Sequence, residues 1–393
     1  MANTRASMAS TKSCTGASEG DPLAYERVVV KAGTTLLTRD AEGLDREVMS
    51  SLVSQIADLH RRGVEMILVS SGAVAAGRHV IGGLEDGRGL PLRQALAAIG
   101  QGHIMHIYEQ LFGGHGVRVA QALLSRRDLA DRLGYLNVRN TLTALLELSV
   151  VPIINENDVV AVEELSGEQF GDNDTLSALV ANLVDADLLV LLGDIDGLYT
   201  SDPNVDPSAR LISTVERVDE GVLAQAGPSW KNTGRGGMAT KLEAARLATA
   251  SGVDVVIANG AQEDVILRLA RGDDGIGTRF PSSVTKMDSR KRWILSGLST
   301  RGEVIVDKGA ATALRRHHRS LLPAGITGVS GSFERGDIIA IVGPSRDRIA
   351  SGLTNYGSAD LAKISGTRSD RISDLLGHEY GDEAVHRNNM IVA

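Results

Sequence analysis

Two lysines sit beside glycines where the chain is expected to turn. Lys31 ends the apolar run Arg27-Val-Val-Val-Lys31 and is followed by Ala32-Gly33-Thr34. Lys241 ends the segment Gly234-Arg235-Gly236-Gly237-Met238-Ala239-Thr240-Lys241. A glycine lets backbone N–H groups come close to an anion, and a lysine adds a point charge, so both places suit phosphate or carboxylate. The second opens a predicted helix and is the better phosphate cradle. Three polar segments end apolar runs: Ser70-Ser71-Gly72-Ala73, Asn155-Glu156-Asn157-Asp158 and Gly193-Asp194-Ile195-Asp196-Gly197. A fourth, Gly171-Asp172-Asn173-Asp174, precedes a helical pattern. An amide donates to a carboxylate and an aspartate accepts from an ammonium, so Asn155 to Asp158 suit an amino-acid head group. Each segment alone also reads as a helix cap or a solvated turn.

Several other chemistries are not supported. There is no G-x-x-x-x-G-K-[ST] loop, and Gly234-x-Gly236-x-x-Ala239 matches a dinucleotide fingerprint without an apolar strand before it. No Ser–His–Asp or Cys–His set stands out. His103 and His106 could share a helix face but have no third partner, so no protein-borne metal site is expected. The basic run Arg315-Arg316-His317-His318-Arg319 reads as a solvated face.

The elements that must position these residues alternate. Strands are expected at 27–31, 64–70, 117–124, 150–155, 187–192 and 253–259. Helices are expected near 45–62, 91–112, 138–149, 174–185, 238–251 and 263–271. Apolar strands alternating with amphipathic helices imply a mostly parallel sheet sandwiched by helices, with ligands beyond the carboxyl ends of the strands. From about residue 286 the pattern changes to short strands at 293–295, 303–306, 326–329 and 337–342, with helical stretches near 309–317 and 358–365. This reads as a small β-barrel-like module. The expected division is an extension at 1–24, an α/β domain at 25–284 and the module at 285–393.

The chain has 393 residues and a net charge of -8, which argues against a protein that coats nucleic acid non-specifically. From Lys286 onward 16 basic residues face 12 acidic ones, so the module is the basic part. The single cysteine, Cys14, lies in a Ser/Thr/Ala/Gly-rich start that lacks a secretory apolar core and reads as disordered. No apolar run reaches the ~20 residues of a membrane span, and a cytoplasmic protein is expected.

Taken in order and spacing, the segments V-V-V-K-A-G-T, V-S-S-G-A-V-A-A-G, V-P-I-I-N-E-N-D, G-D-N-D-T-L-S-A-L, G-L-Y-T-S-D-P and G-G-M-A-T-K resemble the amino acid kinase superfamily, and within it the glutamate 5-kinase family. The resemblance covers about residues 27–390. Gly331-Ser-Phe-Glu-Arg-Gly336-Asp337 resembles the signature turn of a PUA domain, which fits the module. The resemblance implies ATP-dependent phosphorylation of the γ-carboxylate of L-glutamate, the first step of proline biosynthesis, with Mg²⁺. It implies that Lys31 and Lys241 contact the ATP phosphates and that Asp174 orients both lysines. Gly193, Asp194 and the stretch Arg235, Gly236, Gly237, Met238, Ala239 and Thr240 would complete the nucleotide site. Ser71, Asp158 and Asn173 would bind glutamate. Departures from the family pattern are Ala32 for a larger apolar residue, Gly193 for Thr or Ser, and Arg235 for Thr. Feedback by proline, hand-over to glutamyl phosphate reductase and a homodimer or homotetramer are also implied. Two other readings stay open: a superfamily member acting on another carboxylate, carbamate or phosphate, and an RNA-binding protein using the PUA module.

Overall fold

The computed structural model describes residues 22–38, 43–82, 89–160, 173–203, 205–225, 237–282, 300–317 and 319–392. The disordered extension expected for the N-terminus, the strand expected at 293–295 and the junction expected at 284/285 lie wholly or mostly outside them.

The first sheet is built from β1 (Arg27–Ala32), β2 (Glu65–Ser70), β3 (Arg118–Leu124), β4 (Val150–Glu156), β5 (Leu188–Gly193), β6 (Asp254–Asn259) and β7 (Thr278–Phe280). Their order is β3-β4-β2-β1-β5-β6-β7, and every pair is parallel except β6–β7. Helices fill the crossovers: α1 (Thr34–Leu37), α2 (Arg46–Arg61), α3 (Ala73–Ile81), α4 (Leu90–Gly114), α5 (Arg126–Ala130), α6 (Arg132–Glu147), α7 (Asn173–Leu183), α8 (Glu220–Gln225), α9 (Met238–Thr249) and α10 (Val265–Arg271).

The alternation of β1 shows how the layers form. Successive side chains of a strand point to opposite faces. Val28 and Val30 join the core under α2 and α4, while Val29 joins the core under α6, α7 and α9. Both faces are thus buried, as an all-apolar strand requires. Lys31 has the parity of Val29 and points to the face of α7 and α9. Helix α2 shows the complementary logic: Asp45 caps it by accepting from Glu47 N and Val48 N, and Met49, Leu52, Val53, Ile56 and Leu59 form its buried stripe. Helices α3 and α4 cross backbone to backbone. A Cβ on Gly77 would lie 1.9 Å from the Leu96 carbonyl oxygen, and one on Gly100 would lie 1.8 Å from that of Ala73.

The second sheet is smaller. Strands β8 (Gly302–Val306), β9 (Ile326–Gly331), β10 (Ile338–Val342), β11 (Arg348–Leu353) and β12 (Met390–Val392) run in the order β12-β11-β10-β8-β9. Only β8 and β10 are parallel; the other pairs are antiparallel. Helices α11 (Lys308–His317), α12 (Ser358–Ile364) and α13 (Ile372–Leu376) cover it, with Phe333, Ile339, Ile341, Ile349 and Tyr356 in its core. The sheet forms the small β module expected from the sequence; among the described residues no pairing joins β9 to β12. Strand β11 escaped the sequence reading because Ala350, Ser351 and Gly352 dilute its apolar pattern, and β12 because it is three residues long. The PUA-like turn places Gly336 against the start of α6: a Cβ there would lie 3.5 Å from Leu133 Cα. No helix among the described residues is long and apolar enough to cross a membrane.

Candidate active site

Strands β4, β2, β1 and β5 are neighbours, and their carboxyl ends carry Asn155 and Glu156, Ser70 and Ser71, Lys31, and Gly193 and Asp194 respectively. Four of the polar segments singled out in the sequence therefore end on one edge. Helix α7 brings Asn173 and Asp174 to that edge in its first turn, and α9 brings Thr240 and Lys241.

Asp174 is fully buried and is held from both sides. Lys31 Nζ lies 2.5 Å from Oδ1, and Lys241 Nζ lies 3.1 Å from Oδ2. Thr240 Oγ1 also donates to Oδ2 at 2.8 Å. Both lysines are about as buried as their partner, at 2% and 5% exposure. Burial alone would raise the Asp174 carboxyl, but the two ammonium groups and the hydrogen bonds outweigh it and hold the carboxyl well below the usual range. Two ammonium groups thus share one carboxylate in a buried place, where charge is costly unless it is paired.

The surroundings favour an anion. A Cβ on Gly193 would come within 3.3 Å of Lys241 Cε, so the absence of a side chain there lets the lysine lie along the strand end. Helix α9 starts at Gly237 with no side-chain cap, and α3 starts at Gly72, in the left-handed region with φ 94°, also with no side-chain cap. Uncapped N-terminal N–H groups and the positive end of the helix dipole suit phosphate or carboxylate. Gly237 is exposed, and Met238 and Ala239 are half-buried in the first turn of α9. Arg235 and Gly236 lie outside the described residues. Asp194 is exposed.

Beside the lysines lies a second, neutral cluster. Asn173 Nδ2 donates to Ser71 Oγ and to Asn155 Oδ1, each at 2.9 Å. Asn155 Nδ2 donates in turn to Gln101 Oε1 at 2.7 Å. Asn173 Oδ1 is buried with no hydrogen-bond partner among the described residues, so it is an acceptor ready for a donor. Ser70 Oγ lies 3.0 Å from the hydroxyl of Tyr108, which burial pushes up to about 12. Just past β4, burial pushes the Asp158 carboxyl up to about 7, with the Glu156 carboxylate adding to the effect. Such a group is short of a cation.

The structure thus brings together Lys31, Lys241, Asp174, Asn173, Ser71 and Thr240, with Gly193 beside them, and it leaves Asp194 in solvent. The sequence reading missed three contributors. Asn155 stands in the segment Asn155 to Asp158, of which the resemblance assigns only Asp158 to the substrate. Gln101 and Tyr108 lie inside α4, where nothing in the spacing sets them apart. A fourth, Asp196, stood two residues beyond Asp194. It accepts from Asn259 Nδ2 at 3.0 Å, Gln262 Nε2 at 3.2 Å and the Tyr199 hydroxyl at 3.1 Å, which ties the loop after β5 to the end of β6.

Comparison with known proteins fits this geometry. The amino acid kinase family profile matches residues 26–259. The chain belongs to the amino acid kinase family. A PUA domain profile matches residues 302–376, so the kinase unit is followed by a PUA unit. Over 368 residues the chain is 52% identical to a glutamate 5-kinase of Dehalococcoides mccartyi (strain CBDB1), covering 94% of this chain and 98% of that one. It is 50% identical over 367 residues to a glutamate 5-kinase of Herpetosiphon aurantiacus, covering 93% and 98%. A glutamate 5-kinase of Shewanella amazonensis is 48% identical over 368 residues, covering 94% and 96%. An amino acid kinase uses ATP as phosphoryl donor.

Proposed function

We propose that this amino acid kinase transfers the γ-phosphoryl group of ATP to the γ-carboxylate of L-glutamate, giving L-glutamyl 5-phosphate and ADP, the first step of proline biosynthesis. The observation that carries the reading is the buried Asp174 carboxylate with a separate lysine on each oxygen. In this reading Asp174 aims Lys31 and Lys241 at the phosphates. Gly193, Asp194 and the stretch from Arg235 to Thr240 line the nucleotide. Asn173, Ser71 and Asp158 take glutamate, with Asn173 Oδ1 and the Asp158 carboxylate accepting from its ammonium group.

A side-chain carboxyl with an unperturbed pKa of about 4.3 is already ionised at neutral pH, so the nucleophile needs no base. One carboxylate oxygen attacks the γ-phosphorus in line, the bond from that phosphorus to the β,γ-bridging oxygen breaks, and ADP leaves. The obstacle is repulsion between two anions. Fixed cations aimed at the equatorial oxygens remove it. Mg²⁺ would add to that neutralisation. Among the described residues no group of three acidic, His or Cys side chains could hold a metal, so the ion would be carried mainly by the phosphates.

An ADP-release assay with glutamate, aspartate, acetylglutamate and UMP side by side tests the reading. Turnover with glutamate alone is expected; preference for another acceptor would replace the substrate while keeping the kinase. We further take 25–284 as the kinase domain and 285–393 as the PUA domain, in a cytoplasmic enzyme. The resemblance supports feedback by proline, hand-over of the acyl phosphate to a reductase, a homodimer or homotetramer, and RNA contact through the PUA unit. Proline titration, a channelling assay, light scattering and salt-dependent RNA binding test these in turn.

A further inference from the structure

Helix α7 is gripped at both ends. Its first turn holds Asn173 and Asp174 in the site. Its last turn leaves carbonyl oxygens without intrahelical partners, as every helix end does. Here two arginines take them: Arg139 Nη1 donates to the Leu183 carbonyl and Arg27 Nη1 to the Val184 carbonyl. Arg139 Nη2 also lies 2.5 Å from Asp185 Oδ2, and Asp185 holds the left-handed φ of 54° that turns the chain away from the helix. Both guanidinium groups thus sit at the negative end of the helix dipole.

The spacing of these grips matters. Arg27 and Lys31 belong to one strand, β1, and are four residues apart, roughly 13 Å at the usual strand rise. Helix α7 has 11 residues and spans roughly 16 Å. One strand therefore holds both ends of one helix, Lys31 by a carboxylate and Arg27 by a carbonyl, while Arg139 locks the far end from α6. The helix cannot slide along β1 without breaking one of these contacts. Arg139 is 3% exposed, and its polar partners among the described residues include Leu183, Asp185 and Tyr135.

We infer that Arg139 is a positioning residue for phosphoryl transfer: by fixing the carboxyl end of α7 it sets where Asp174 stands, and so where the two lysine ammonium groups are held. The inference rests on the kinase reading above for its kinetic consequence, and on the geometry alone for its structural one. A displacement of about 1 Å in a reacting group is enough to cost on the order of 10²-fold in rate.

The test compares Arg139→Met and Arg139→Lys with Leu142→Ala, a change in the fully buried core face of the same helix. Each is assayed for ADP release well below its own melting temperature. Arg139→Met is expected to lower kcat about tenfold or more while both KM values stay within about twofold, and Arg139→Lys to recover part of the loss. Leu142→Ala is expected to melt earlier yet keep its kcat. A folded Arg139→Met with normal kcat, or a Leu142→Ala with the same kcat loss, overturns the inference. If Arg139→Met does not fold, Arg139→Lys decides: its ammonium reaches the carbonyl or the carboxylate but not both, and a normal kcat counts against the inference. Hydrogen exchange at the amides of residues 174–178 is read in the same proteins. It must quicken more in Arg139→Lys than in Leu142→Ala whatever the substrate proves to be. Failure of the wild-type protein to turn over glutamate sinks the substrate reading, and an unchanged exchange pattern sinks this one.

Discussion

In the kinase unit the charges at the site are buried and shared, whereas in the PUA unit they stand in separate pairs at the surface. Lys31, Asp174 and Lys241 are each at most 5% exposed and form one unit around one carboxylate. In the PUA unit Arg315 pairs with Asp347, Arg346 with Glu303 and Arg368 with Asp370, and the arginine side chains are 46%, 63% and 83% exposed. Taking charges out of water is expensive, so a buried cluster of three charged side chains is hard to explain by stability alone. The surface pairs cost little to form and return little. The same two residue classes are therefore buried and shared in one unit and solvated and paired singly in the other.

The largest break in that comparison should come from Asp174→Asn. The variant keeps the shape but removes the one negative charge between two buried ammonium groups. Breaking a buried pair in this way costs about 3–5 kcal/mol, read as an earlier denaturant midpoint. The kcat of the folded fraction should fall by a factor on the order of 10³, because both lysines lose their aim. Unchanged stability together with unchanged turnover would mean that the buried triad is not special.

Next comes Lys241→Ala. Here the carboxylate keeps Lys31 and Thr240, so the fold should tolerate the change better. The kcat should fall by about 10²-fold, the usual loss for one donor aimed at a developing charge, while the KM for glutamate stays nearly the same. A rise in that KM with normal kcat would place the lysine on the acceptor instead.

A smaller effect should follow pH. Asp158 ionises only near pH 7 in the free protein, because of burial first and Glu156 second. Its folded pKa is raised, so the favourable contribution of the neutral form is fully present below the unfolded value and is lost as pH rises through about 7. An arriving ammonium group needs the ionised form and would pull the pKa down, releasing a proton on binding. The KM for glutamate should therefore rise as pH falls below 7, by at most about tenfold per unit, and Asp158→Asn should flatten that dependence while leaving the KM for ATP alone. A flat profile in the wild-type enzyme would remove Asp158 from the acceptor site.

How much of this was legible beforehand differs between the same two regions. The parallel sheet was readable because its strands are buried on both faces and its helices carry regular apolar stripes. The lysines and Asp174 were readable because they stand beside glycines or at a helix start. Their mutual contact was legible only through the family resemblance, since residues 31, 174 and 241 meet through the crossover order of the strands. Helix α6 was expected from about residue 138, but it starts at Arg132, where Asp131 accepts from Gly134 N. A glycine inside the first turn hid that start. Gln101, Tyr108 and Arg139 were invisible because a polar residue on a buried helix face looks like any other until its partner is known. In the PUA unit the turn at Gly331–Asp337 was clear, while the apolar pattern of β11 is diluted by Ala350, Ser351 and Gly352 and β12 is only three residues long.

The smallest expected effect lies at Arg315, whose pair with Asp347 at 2.6 Å looks as good by distance as the Lys31–Asp174 contact at 2.5 Å. Both partners of the surface pair are nearly half exposed, so water and salt compete for them. Arg315→Ala should shift stability by about 0.5 kcal/mol or less and leave kcat and both KM values unchanged. A loss comparable to that of Asp174→Asn would show that distance, not burial, governs what a charge pair contributes here, and the contrast between the two units would have to be redrawn.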